Sequence, residues 1–475
     1  MPFLRWTLAG LCLAGLGLSH LHGGELVRYE QEITLEFSTP QEAQQAELVP
    51  LELPPGKTLA VTSRWDDSNP AHLEMSKTLK ENGWKGSFLI NRVWPEFTEN
   101  VLKWLLADGS DIGAHTCRHP HLETIVPNAM FREIVANRVD LESATDHCVT
   151  AFTFPFGLRD AQEPQNSSLK DQGEALVRSG LLGGGEYWNI ASRMGLSPEQ
   201  FLSTHLIHAN DKDPDAEQFA REWKTATERI LRGETPCGAV IALGVHSWQK
   251  QVHPDGFERL SKILATQSHN PQYWYCNMQD YMAYRLGFLK NSAVRKSVEG
   301  NQATFVIQRT EPFEWGSEVP MGLQVQPVPQ KVLWENQTLQ VDSQGAFLLP
   351  HTPGHAVPKV IGRTDSQTGL CDKIDGIRLQ ITWEEEANQV VCHLENNRSE
   401  VVKNLHATLR VPLRWTTGVY RQTLPSLEPG EKRQIVIPLS EKQPETKYQQ
   451  GKPYFVLQLD FTTSASNQRL YAELN

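Results

Sequence analysis

Two histidines four residues apart, His115 and His119, stand in the stretch His115-Thr116-Cys117-Arg118-His119-Pro120-His121-Leu122. On a loop or the first turn of a helix, that spacing lets two imidazoles point at one centre. Neutral imidazole is the commonest protein ligand for a catalytic metal. Catalytic zinc sites take three protein ligands and leave a position open for water or substrate. A third ligand is therefore owed, and Trp65-Asp66-Asp67, which follows the apolar run Leu59-Ala60-Val61, can supply it. Such a centre performs metal-assisted hydrolysis. Cys117, between the histidines, is read as a small buried residue, because a fourth protein ligand would close the site to water.

A histidine pair or an Asp-Asp turn taken singly is ordinary, but the order of the pieces is more specific. Trp65-Asp66-Asp67 is followed by the histidine stretch, then by Phe154-Pro155-Phe156-Gly157, then by Val245-His246 at the end of an apolar run. In this order the pieces resemble the polysaccharide deacetylases of carbohydrate esterase family four, over roughly Lys57 to Gly287. The resemblance implies that Asp67, His115 and His119 hold a divalent metal, with zinc first. In the chemistry that follows, Asp66 takes the proton of the attacking water and His246 protonates the leaving nitrogen or oxygen. The family's oxyanion donor falls on the backbone N–H of Phe156. Trp65, Trp188 and Trp248 are candidates for a sugar-stacking rim. Each role has a plainer rival: Asp66 as the cap of a helix starting near Pro70, His246 as a core histidine, the aromatics as core.

The chain departs from the family in two places. Thr153 stands where the family has an Arg that pairs with the catalytic Asp, which implies a base less depressed in pKa. The Asp-Trp pair that orients the catalytic His is not recognisable; Glu186-Tyr187-Trp188 or Asp211 and Asp213 are its possible substitutes.

The elements that must position these residues alternate. Leu59–Val61, Ser87–Ile90, Asp111–Ala114, Val149–Phe154 and Gly238–Val245 read as strands. Between and after them lie helices with apolar stripes such as Ala71, Met75, Leu79 and Phe219, Trp223, Ile230. This alternation implies a parallel sheet with helices outside. All four motif pieces fall at strand ends, which gather at one face of a parallel barrel. The family's fold is an irregular TIM-like barrel of seven βα units. After about Lys290 the helical period vanishes. Short alternating strands with turns such as Pro429-Gly430 imply C-terminal all-β domains, the last a loosely immunoglobulin-like sandwich. The expected division is a signal peptide at 1–23, an N-terminal strand and lead-in at 24–56, the barrel at 57–290, a small β domain at 291–370 and the sandwich at 371–475.

With 475 residues the chain is too long for one ordinary core, and its formal charge is −11 with no Lys/Arg-rich block, so nucleic acid is not an expected partner. Arg5 followed by the apolar run Trp6–Leu18 reads as a secretory signal rather than a membrane span, so the protein is expected to be secreted or held in the periplasm or cell envelope. In an exported protein Cys371 and Cys392 form the expected disulfide. The leading expectation is a metal-dependent hydrolase removing N- or O-acetyl groups from a polysaccharide. The rivals are a degenerate relative that binds glycan without cutting it, and a glycosidase with paired carboxylates.

Overall fold

A computed structural model describes residues 29–208, 216–309, 317–351, 358–363, 370–374, 376–441, 446–449 and 453–474. The expected signal segment, Asp211 and Asp213 lie outside the described residues.

Between Leu59 and Lys290 strands alternate with helices, giving a mixed α/β region. The strand Leu59–Asp66 is buried along its whole length, as a strand covered on both faces must be. It pairs in parallel with Ser87–Ile90 and with Val240–His246. Ser87–Ile90 pairs in turn with Asp111–Ala114, Ala114 bridges to Phe152, and Ala151 bridges to Gly183. Gly183–Gly184 pairs with Leu202–Ser203, and His205–Ile207 pairs with Val240–His246. These parallel pairings form a succession of strands linked by the two bridges and, between Leu202–Ser203 and His205–Ile207, by the chain itself. Asp66, His115, Thr153, Glu186 and His246 each stand at or just past the C-terminal end of one of its members.

The outer helices follow their apolar spacing. Ala216–Leu231 buries Phe219, Trp223, Ala226 and Ile230, which share one face of a helix. Pro127–Thr145 starts on a proline, whose missing N–H is no loss in a first turn. It is buried nearly all round, because the histidine loop covers its front and the C-terminal region its back.

The N-terminal strand is not a separate lead-in. Tyr29–Glu36 lies antiparallel between Gln302–Arg309 and Lys331–Trp334, and Glu47–Pro50 pairs with Met321–Gln326. Ile33, Leu35 and Phe37 share a core with Leu323, Val325 and Phe347. The described strands between 29 and 50 and between 292 and 349 therefore form one β unit, whose two parts flank the α/β region in sequence.

The C-terminal region is all β. One sheet runs Lys359–Arg363, Asn467–Leu474, Phe455–Thr462, Val402–Arg410, Arg421–Leu427; the other runs Leu370–Ile374, Ile377–Glu384, Gln389–Asn396, Lys432–Pro438. Both contribute to one core, with Ile381, Cys392 and Leu394 against Leu405, Leu457 and Leu470. Lys359–Arg363 precedes the expected boundary at 371 yet belongs to this unit. Cys392 is a buried free thiol, and the side chain of Cys371, its expected disulfide partner, lies outside the described residues.

This unit also joins the core of the α/β region, to which it contributes Val360, Leu413, Tyr454, Val456 and Tyr471. Glu142, on the helix Pro127–Thr145, is fully buried between the two. It accepts from Tyr471 at 2.5 Å, Arg469 at 3.2 Å, Arg138 at 2.8 Å and the N–H of Val149 at 2.8 Å. Arg178 donates to the carbonyls of Pro412 and Trp415. Among the described residues no helix is long and apolar enough to cross a membrane.

Candidate metal centre

The ends of Leu59–Asp66 and Asp111–Ala114 bring three expected ligands together. Asp67, His115 and His119 offer donor atoms that all lie within 4.8 Å of one another. Nε2 of His115 and Nε2 of His119 are 3.1 Å apart, and Oδ1 of Asp67 lies 3.8 Å from the first and 3.4 Å from the second. Nδ1 of His115 is 2.9 Å from the carbonyl of Thr153. That carbonyl can only accept, so the proton sits on Nδ1 and Nε2 is left as the metal-facing lone pair. Burial lowers the His115 pKa, which favours the neutral, ligating form. One carboxylate and two imidazoles converging in this way suit a zinc-like ion.

Local structure holds each donor. The N–H of His115 donates to Asn137 at 2.8 Å. Glu133 accepts from the N–H and Nε of Arg118, and Thr116 Oγ1 accepts from the N–H of His119 at 3.1 Å, which orients the loop between the two histidines. Asp67 Oδ1 takes Asn91 at 3.3 Å and Oδ2 takes the indole N–H of Trp248 at 3.1 Å. Asp67, Thr116, His119 and Phe156 have φ of 77, 65, 58 and 59°. Left-handed backbones at non-glycine residues persist only where the surroundings hold them, and they cluster at functional sites. Cys117 is outside the ligand group; it is half-buried, and burial pushes its thiol well up.

Asp66 is 2% exposed and does not cap a helix; the helix His72–Glu81 has no side-chain cap. Instead it faces Arg64, two residues earlier. Nε of Arg64 donates to both carboxylate oxygens at 2.9 and 3.2 Å, and its Nη2 reaches Oδ2 as well. Thr153 Oγ1 donates to Oδ1 at 3.3 Å. Burial raises the Asp66 carboxyl, but the Arg64 and His115 charges outweigh it and hold the group below its ordinary range. Asp66 is thus held down without an Arg at 153, because the guanidinium comes from Arg64 on its own strand, Leu59–Asp66. Glu186 lies 3.3 Å from the same guanidinium and accepts from the N–H of Phe154 at 3.1 Å. Two acids compete for one cation. Asp66 has the closer contacts, while burial raises Glu186 despite Arg64. Gly185 makes room, since a Cβ there would sit 2.9 Å from Cδ of Arg64.

The remaining expectations divide. His246 brings Nε2 to 3.9 Å from Asp67 Oδ2 and its ring to 5.5 Å from that of Trp248. Phe156 is 49% exposed, with its ring stacked on His121 at 3.7 Å and edge-on to His119 at 4.6 Å. Trp65 cannot line a sugar site: it is fully buried, with its indole N–H on Ser63. Trp188 packs beside a core cluster, with the Arg229 guanidinium 5.7 Å from its ring centre; no contact places it at the ligand group. Glu186 braces Arg64 rather than His246. Sequence reasoning passed over Arg64, Asn137, Glu133 and His72. The last is buried beside Asp67, and burial pushes its pKa down to about 4.

The resemblance to polysaccharide deacetylases stands. Residues 54–170, which carry Asp66, Asp67, His115 and His119, match the family described as polysaccharide deacetylase. No curated protein matches the chain. Similar solved structures include the Xyl-CE4 domain of a multidomain xylanase from the hindgut metagenome of Trinervitermes trinervoides, at 11% identity and a TM-score of 0.33, covering 47% of this chain and 90% of that one. A polysaccharide deacetylase from Bacillus cereus gives 15%, 0.31, 46% and 91%. An acetyl xylan esterase from Clostridium thermocellum gives 17%, 0.31, 47% and 89%.

Proposed function

We propose that this chain is an exported, metal-dependent polysaccharide deacetylase that removes N- or O-acetyl groups from a glycan. The observation that carries the reading is the convergence of Asp67, His115 and His119 beside a buried, guanidinium-paired Asp66. We read the succession of parallel strands as an irregular (β/α)7 barrel and the C-terminal sheets as an immunoglobulin-like sandwich. Export rests on the run Trp6–Leu18 after Arg5.

Asp67 and the Nε2 atoms of both histidines would hold a divalent ion, zinc by donor type. Bound there, it supplies Lewis acidity to the acetyl carbonyl and lowers the pKa of a water toward ~7. Asp66, kept ionised by Arg64, would accept the proton of the attacking water. His246 gives a proton to the departing nitrogen or oxygen. The N–H of Phe156, turned by its left-handed backbone next to His119, donates to the developing oxyanion. Trp248, with its indole N–H committed to Asp67, offers its ring beside His246 as a wall for the sugar.

The reading of a glycan binder without turnover drew on the missing Arg at 153 and on the missing Asp-Trp pair, and Arg64 removes the first of these grounds. A glycosidase leaves the two histidines without a task. Acetate release from acetylated chito-oligosaccharides and acetylated xylan is expected from purified protein, to be abolished by a chelator and restored by zinc. Protein that carries no metal and releases no acetate from either polymer overturns the proposal.

A further inference from the structure

His72 opens the helix His72–Glu81 and is fully buried, with its ring 4.7 Å from that of Phe88. Both of its nitrogens are engaged. Nε2 lies 2.6 Å from the carbonyl oxygen of Asp67, and Nδ1 lies 2.7 Å from the hydroxyl of Ser247. The carbonyl only accepts, so Nε2 carries the proton and Nδ1 accepts from Ser247. Ser247 directly follows His246. One imidazole therefore ties the turn after Leu59–Asp66 to the turn after Val240–His246, the two strands that pair from Ala60 to Asp66. The chemistry proposed above makes no use of this ring. Asp67 needs holding, since its φ of 77° is a left-handed conformation for a residue with a Cβ. Asn91 and Trp248 hold its side chain, whereas His72 holds its backbone.

We infer that His72 is a positioning residue for the metal: by fixing the Asp67 carbonyl it aims that carboxylate at His115 and His119, and through Ser247 it keeps His246 in step with them. The inference rests on the reading of Asp67 as a ligand. Outer partners that orient metal ligands change affinity by roughly 10–100-fold when removed, whereas a histidine that only fills the core changes stability and leaves affinity alone.

The test measures zinc affinity by competition with a chromogenic chelator, beside circular dichroism and the melting temperature of the metal-free protein. His72→Phe keeps a ring against Phe88 and removes both hydrogen bonds. His72→Gln keeps an N–H at the ε position, toward Asp67. His72→Asn reaches only the δ position, toward Ser247. Zinc affinity is expected to fall by about tenfold or more in the Phe and Asn variants, and by less than about threefold in the Gln variant. A folded His72→Phe protein that binds zinc as tightly as the parent overturns the inference. Should the Phe variant not fold, equal affinities in the Asn and Gln variants overturn it, and a tenfold gap between them supports it. A parent protein that binds no zinc sinks the metal reading itself, which separates the two failures.

Discussion

Two aspartates in one parallel sheet make an instructive pair. Asp66 ends the strand Leu59–Asp66, and Asp111 begins the strand Asp111–Ala114. Both are buried, and burial alone drives a carboxyl upward. Asp66 meets a guanidinium and stays below its ordinary range. Asp111 meets the hydroxyl of Ser87 and the N–H of Gln279 at 2.8 Å, in the first turn of the helix Met278–Lys290, and is pushed up to about 7. Neutral donors soften the effect of burial; a fixed cation reverses it. The reacting end of the sheet is thus supplied with a permanent anion, while the opposite end holds an acid that can keep its proton and cap a helix.

The comparison can be broken most severely at Arg64. Arg64→Ala strands two buried carboxylates, and is expected to cost about 3–5 kcal/mol of stability and to cut deacetylation more than about 100-fold, read by denaturant unfolding and acetate release. Adding Thr153→Arg to that variant returns a guanidinium from the segment that follows the Phe152 bridge, where Thr153 already reaches Asp66, and recovery of part of both losses is expected. No recovery in a folded double variant would mean that Arg64 does more than neutralise Asp66.

Asp111 sharpens the other side. Unfolded, its carboxyl titrates near 3.8; folded, near 7. Between these values the folded chain binds more protons than the unfolded one, so stability falls as pH rises through that window and levels off above it. Asp111→Asn removes the slope. Its melting temperature is expected to exceed the parent's by about 2–4 °C at pH 8, with the gap closing toward pH 4. The smallest change is expected from Glu186→Gln, which still accepts from Phe154 and leaves Arg64 to Asp66. Turnover within about threefold of the parent fits a bracing role, and a loss as large as that of Arg64→Ala would make Glu186 an equal partner.

Residue type and spacing made the histidine pair and a carboxylate from Asp66-Asp67 legible, and the resemblance to polysaccharide deacetylases singled out Asp67 with His115 and His119. Arg64 was legible in principle. A strand has a period of two, so Arg64 and Asp66 share a face, and the cation that pairs with Asp66 lies two residues upstream of it rather than at position 153. The same period explains Trp65, which shares the opposite face with Ser63 and is buried there. The alternation in Tyr29–Glu36 identifies a strand but not its partners, because Gln302–Arg309 and Lys331–Trp334 lie beyond the whole α/β region. A lone histidine at a helix start carries no pattern, so the sequence does not single out His72.

The helix Pro127–Thr145 has two clients. Toward the front, Asn137 and Glu133 steady the histidine loop; toward the back, Glu142 is shared with Arg469 and Tyr471. Accessory units that migrate between enzymes as cassettes hang on tethers and can be unplugged. This one is mortised into its neighbour, so severing the chain ahead of Lys359 would bare apolar surface and strip a buried acid of two of its four donors, directly behind the residues that keep His115 in place. Heredity is then expected to treat the two regions as a single inseparable piece.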